Sequence, residues 1–333
     1  MTQFQQNSGS FLAGFMVRLE SWHSHPGSKN TLPSKCSDWL RMRSPPKLRV
    51  CVYEVWKVIA PIIYFGGAVV AMVLFSLTDK LHSFVSRIFI PQYHYPYAVP
   101  LTFIQVLIVL LALLALHGVG LLHLKPFSLP LAERLLVPAV CGSAQAVLAL
   151  WAEASGHSGL YPLIGRLLPL LSLAFGHLLA IHTPASASVT CLVTAVTVAS
   201  VSITVYNGMY AVETLEWLYS PLSLILHTIS LVWLVKVAQS EKLHTSPFDL
   251  FYTLTVNRTV LLAVLCLLHP DSSRAVTDGN WHSLLFLGYM LGMLLLGALQ
   301  LLLVDMVALR FSVLPATLLH SARGLLQPFC SML

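Results

Sequence analysis

Nine runs of mostly apolar residues, divided by short connectors rich in proline, glycine and charge, constrain this chain more than any other feature. They lie near 57–77, 98–117, 133–152, 159–180, 188–206, 218–238, 248–268, 282–304 and 311–326. Most are about 20 residues long, enough to cross roughly 30 Å of hydrocarbon at ~1.5 Å per residue. In lipid a backbone must satisfy its own N–H and C=O groups, so such runs become helices. The predicted fold is therefore all-α: a polytopic membrane bundle of about nine transmembrane helices. Composition agrees, since only 10% of residues are charged against about 25% in soluble domains.

The connectors hold the breakers: Pro91 and Pro96, then Pro126 and Pro130, Gly156 and Gly159, Pro184, Asn207-Gly208, Pro247, and Pro270 with Asp278-Gly279. The net charge is +6, and much of the excess sits in an N-terminal arm carrying Arg18, Lys29, Lys35, Arg41, Arg43, Lys47 and Arg49. That arm, also rich in Pro, Ser and Gly, reads as a flexible basic tail over 1–54. The transmembrane domain follows over 55–328, with a short tail at 329–333. By the positive-inside rule the N terminus is cytosolic. Lys125, Lys236, Lys242 and Arg310 then share its side, and Glu153, Glu213, Glu216, Asp271 and Asp278 face the lumen. The basic surplus has a membrane explanation and implies no nucleic-acid partner. No secretory cleavage pattern precedes the first span, which reads as an uncleaved anchor.

Charges inside spans carry the functional information, because a buried cation at membrane depth faces a cavity, a partner or an anionic ligand. Arg166, Arg323 and Lys80 are the main cases, with Arg258 a weaker fourth. Glu133 and Asp305 are the acidic residues at similar depth. A surplus of cations suggests an anionic ligand, and the planar fork of arginine suits phosphate. Snorkelling to the interface competes with this reading at every position.

Other chemistries lack their patterns. The six cysteines are scattered without a C-x-x-C pair, so neither a disulfide framework nor a metal framework is read. His117, His177, His227 and His320 show no i, i+4 pairing. No protease or hydrolase signature is present. The chain is read as no enzyme and as needing no cofactor. Asn257-Arg258-Thr259 is formally a glycosylation sequon, but it falls within a span.

Several short segments resemble a known family in order along the chain. They are Asp79-Lys80, Phe103-Ile104-Gln105, Tyr161-Pro162-Leu163-Ile164-Gly165-Arg166, Leu250-Phe251-Tyr252-Thr253 to Asn257, and Ser312-Val313-Leu314-Pro315-Ala316-Thr317 followed by Arg323. Over roughly 55–326 the chain resembles the nucleotide-sugar transporters of solute carrier family 35, in the drug/metabolite transporter superfamily. The UDP-sugar branch is the nearest in look. The departures are a single arginine at Arg166 where the family often has two basic residues, Arg323 in place of lysine, and Gly324 in place of asparagine. The family has ten spans; nine are read here, which leaves an isoform, a truncation or divergence open.

The resemblance implies two inverted helical halves, breaking near 207–217, around a central cavity. It implies a Golgi or endoplasmic reticulum antiporter that exchanges cytosolic nucleotide sugar for lumenal nucleoside monophosphate; a homodimer is compatible with it. The substrate-binding set would be Lys80, Gln105, Arg166, Tyr252, Asn257 and Arg323. Arg166 and Arg323 would hold the diphosphate, Lys80 would lie near the lumenal exit, and Gln105, Tyr252 and Asn257 would contact base or sugar. Repulsion among empty cations would discourage return of an empty carrier. Two other readings compete: a non-transporting partner of the same fold, and a transporter of another phosphorylated metabolite.

Overall fold

The computed structural model describes residues 46–93, 95, 97–154, 160–179, 187–206, 215–241 and 245–320, with side chains described from Gly66 onward apart from a few positions. Most of the basic tail, and Arg323, lie outside the described residues. The chain divides into two compact units, Met1–Gly67 and Ala68–Leu333; apart from the first part of the helix that begins at Pro46, the elements, packing and site described below belong to the second.

Among the described residues all regular structure is helical. The elements are α1 (Pro46–Tyr93), α2 (Ala98–Gly118), α3 (Leu129–Arg134), α4 (Leu136–Ala154), α5 (Tyr161–Gly165), α6 (Leu168–Leu178), α7 (Ala187–Tyr206), α8 (Glu216–Glu241), α9 (Pro247–Leu268), α10 (Asp271–Thr277) and α11 (Leu284–Arg310). A last helical run begins at 313. Six helical stretches are long and apolar enough to cross a membrane: Val69–Ile90, α2, α7, α8, α9 and α11. Leu136–Ala152 and Leu168–Leu178 are shorter apolar helices.

The distribution of side chains identifies the solvent. Val70, Val73, Phe84, Leu111, Val260 and Leu291 are exposed, while Thr102, Arg166, Ser200, Glu216, Asp249 and Asp305 are buried. Water would favour the reverse. Hydrocarbon favours this arrangement, with apolar groups outward and polar groups turned to one another. The chain is a multi-pass helical membrane protein.

Three readings differ from the sequence expectation: the end of the tail, the third run and the fourth run. Residues 46–54, assigned to the tail, begin α1. The first span, expected at 57–77, belongs to this 48-residue helix, and among the described residues the stretch apolar enough to cross is Val69–Ile90. Thr78, Asp79 and Lys80 therefore sit mid-helix, not in a connector. The third run, expected over 133–152, breaks at Leu135 into α3 and α4. Glu133, expected at membrane depth, is exposed on α3. The fourth, expected over 159–180, breaks at Arg166 and Leu167 between α5 and α6. Pro169 explains that break: it has no N–H to give Gly165 and its ring crowds that carbonyl. Arg166 N and Leu167 N bond back three residues instead, to Leu163 O at 3.1 Å and Ile164 O at 2.9 Å.

Packing centres on α8, which lies most extensively along α4 and also meets α6, α5 and α11; α9 and α11 both pack on α2. One apolar cluster joins Phe75, Leu168, Leu231, Val304 and Val307. A second, largely aromatic, joins Phe89, Tyr95, Tyr97, Phe286 and Met293. Polar ties fasten the ends. Ser246 and Asp249 form a reciprocal cap on α9, and Asp249 also accepts from Lys125 N at 2.9 Å. At the other end Tyr95 donates to Ala275 O at 2.8 Å, and Tyr97 donates to Asp278. Burial, with Tyr97 and Asp278 beside it, pushes the Tyr95 hydroxyl up to about 12, so it stays a neutral donor. After α2 the chain turns at Gly120, whose φ of +78° suits a residue without a Cβ.

Candidate functional site: a polar cavity between the helices

A cavity of about 240 Å³ lies within the bundle. It shares Phe75, Leu168, Leu231 and Val304 with the first apolar cluster and Leu150 with the aromatic one. The rest of its wall mixes apolar residues, Val106, Ala146, Ala149, Leu224 and Leu301 among them, with polar and charged ones.

The break between α5 and α6 supplies the first charged group. Arg166 is 5% exposed and lines the cavity. Its Nη1 donates to the backbone carbonyl of His320, in the last described helical run. Glu216, fully buried at the start of α8, steadies the preceding turn, since its Oε1 accepts from Leu160 N at 2.7 Å and Tyr161 N at 2.9 Å. Tyr161 reaches into the same cavity, its hydroxyl 3.5 Å from Ser223 Oγ.

The second charged group is Arg258, on the unbroken helix α9. Its Nη1 donates to Asp305 Oδ2 and its Nη2 to Asp305 Oδ1, the latter at 3.4 Å. The two side chains are 4% and 3% exposed, and both line the cavity. Gly142 on α4 makes this possible: a Cβ there would stand 2.6 Å from Arg258 Nη2. Gly297 on α11 serves Gln105 in the same way, since a Cβ would overlap its amide. Gln105 Nε2 donates to Met293 O at 3.4 Å. On α1, Asp79 accepts from Gln300 Nε2 at 3.3 Å. His227 and His320 meet edge to face with ring centroids 5.0 Å apart. Among the described residues no group of three or more His, Cys, Asp or Glu side chains could hold a metal ion.

The sequence-derived residues are dispersed. Gln105 and Arg166 line one cavity. Lys80 is exposed beside Asp79, which lines it. Tyr252 packs with Val109, Leu113, Phe251 and Ala298. Asn257 ties α9 to α3 through a 2.8 Å bond to Ala132 O. Neither Tyr252 nor Asn257 is part of the cavity wall. Arg323 lies outside the described residues. The sequence undervalued Arg258 and named Asp305 without its partner. The available signal was two opposite charges in separate apolar runs, a combination that lipid favours as a pair.

No family model matches the chain, and no curated protein matches it either.

Proposed function

We propose that this protein is a secondary transporter of a phosphate-bearing solute, and specifically a nucleotide-sugar antiporter that returns nucleoside monophosphate. The observation that carries the reading is Arg166: a buried guanidinium on the wall of a cavity lined by both polar and apolar side chains, at a helix break inside an apolar bundle. Interrupted helices at membrane depth are a recurring way to present polar groups to a solute, and the guanidinium fork matches two phosphate oxygens. Arg166 holds phosphate, and Gln105 offers its amide to base or sugar. Arg323 is the second phosphate cation and Lys80 lies toward the exit; Tyr252 and Asn257 reach the solute only after the helices rearrange. The cavity, at about 240 Å³, is below the roughly 300–1,000 Å³ of small-molecule sites, so this conformation holds part of a nucleotide sugar and admission requires the helices to part.

In this reading α3 with α4, α5 with α6, and the run from 313 each cross the bilayer, giving nine spans with an inverted repeat. The N terminus is cytosolic, and the membrane is that of the Golgi or endoplasmic reticulum. The test is exchange of UDP-glucose and related nucleotide sugars in proteoliposomes preloaded with nucleoside monophosphates. Exchange above protein-free liposomes, lost in Arg166→Ala, supports it; absence of exchange across the panel overturns it.

The non-transporting alternative has one observation in its favour. Arg258 and Asp305 satisfy each other, as a purely structural polar cavity requires. On that reading the inserted protein exchanges nothing and serves as a membrane partner.

A further inference from the structure

Arg258 and Asp305 are the most completely buried opposite charges of the cavity wall, and they come from different helices, α9 and α11. Three features separate them from a pair that only holds those helices together. Both side chains line the cavity. The guanidinium is incompletely used: Arg258 Nε is buried and has no hydrogen-bond partner among the described residues. The bare backbone of Gly142 leaves the guanidinium its room, with Ser230 Oγ closing the same notch 2.9 Å from where a glycine Cβ would stand. A guanidinium carries five N–H donors, so this one has capacity beyond the carboxylate it holds.

We propose that Asp305 stands on Arg258 where the anionic group of the solute binds: the carboxylate neutralises the guanidinium in the empty cavity and yields it to phosphate when solute arrives. The inference rests on the transporter reading above and adds two residues to its site. A phosphate group competes well for the fork, because it brings more negative charge than a carboxylate and oxygens at matching spacing. Once displaced, Asp305 repels the bound phosphate, which keeps the affinity moderate and favours release. The empty state also changes character. A neutral pair meets a lower barrier than a lone cation when the helices rearrange in lipid. In the empty carrier this pair adds no net charge to that barrier, so reorientation without solute is easier than with Arg258 unpaired, and net uptake accompanies exchange.

The experiment uses the full chain in proteoliposomes, with UDP-glucose outside and UMP either inside or absent. Wild type is expected to take up UDP-glucose in both cases. Asp305→Asn, which leaves Arg258 its charge, is expected to lower KM by about tenfold, the value of one charge-assisted bond, and to suppress uptake into UMP-free liposomes. Because that variant risks misfolding, the apolar double replacement Arg258→Met with Asp305→Leu is measured beside it. Pairs of this kind are often replaced by hydrophobic residues without loss of fold. The double variant is expected to insert and remain monodisperse, yet to lose at least tenfold in UDP-glucose uptake. Wild-type uptake by the folded double variant makes the pair structural and overturns the proposal, while the transporter reading stands. Wild-type exchange with no uptake into UMP-free liposomes overturns it as well. Absence of any uptake or exchange by wild type, repeated across the nucleotide-sugar panel, overturns the transporter reading, and this inference with it.

Discussion

Arg166 and Arg258 face one cavity and are held in opposite ways. Arg166 sits where Pro169 ends a helical turn and donates to a backbone carbonyl. Arg258 sits within a continuous helix and is gripped by a carboxylate from another. At Arg166 a helix break and a backbone carbonyl fix the guanidinium; at Arg258 a carboxylate from another helix both fixes it and offsets its charge. The contrast teaches that depth in the membrane does not by itself rank cations as ligand groups. The partner decides how much charge each presents and how much stability rests on it.

Removing each side chain tests the contrast. Arg166→Ala is expected to abolish exchange, normalised to inserted protein, and Arg166→Lys to lower it about tenfold or more, because the ammonium lacks the bidentate fork. Exchange at the wild-type rate in Arg166→Ala would break the assignment. Arg258→Ala is expected to do its larger damage to stability. Leaving Asp305 buried without its cation costs about 3–5 kcal/mol, read as a drop in Tm of detergent-solubilised protein larger than that of Arg166→Ala. The sequence alone placed Arg258→Ala as the milder change in exchange; equal Tm values for the two variants would mean that the Arg258–Asp305 pair carries no special share of stability.

Smaller changes sharpen the comparison from the second sphere. Gly142→Ala puts a methyl 2.6 Å from Arg258 Nη2 and should destabilise by about 1–3 kcal/mol, the usual cost of overpacking. Gly176→Ala meets nothing within 4 Å and serves as its control; similar Tm values would mean the guanidinium has room to move. The smallest effect lies outside the cavity. The Tyr97 hydroxyl, with Thr277, holds Asp278 below the ordinary carboxylate value of 3.8. A depressed carboxylate contributes stability that is present above its unfolded value and lost as pH falls through the folded one. Tyr97→Phe should therefore lower Tm slightly at neutral pH, where that contribution is present, and flatten the acid limb so that variant and wild type converge below about pH 4, measured as Tm against pH.

How much of this was legible in the sequence differs from element to element. The apolar runs at 98–117, 188–206, 218–238 and 248–268 coincide closely with α2, α7, α8 and α9, because hydrocarbon length and internal hydrogen bonding allow little else. The first run, 57–77, lies within α1, and its described part overlaps the stretch Val69–Ile90; α1 carries polar and apolar residues alike from Pro46 to Tyr93. Pro169 was visible, but its effect on the fourth run required knowing that the chain resumes as a helix within two residues.

The candidate site divides along the same line. Sequence by itself determined the solvent, the class of fold and the short set of charges that lipid makes conspicuous, Arg166 and Arg258 among them. These follow from local composition and from the cost of burying charge, which depend on the residue and its immediate run. Only the tertiary structure decided which charges meet. Arg258 and Asp305 are 47 residues apart, and Arg166 and His320 are 154 apart. It likewise assigned Asn257 to Ala132 O and Tyr252 to an apolar cluster, and set Gly142 and Gly297 under the side chains that need their space. Helix rotation and crossing fix such meetings, and both are set by side-chain packing between helices distant in the chain.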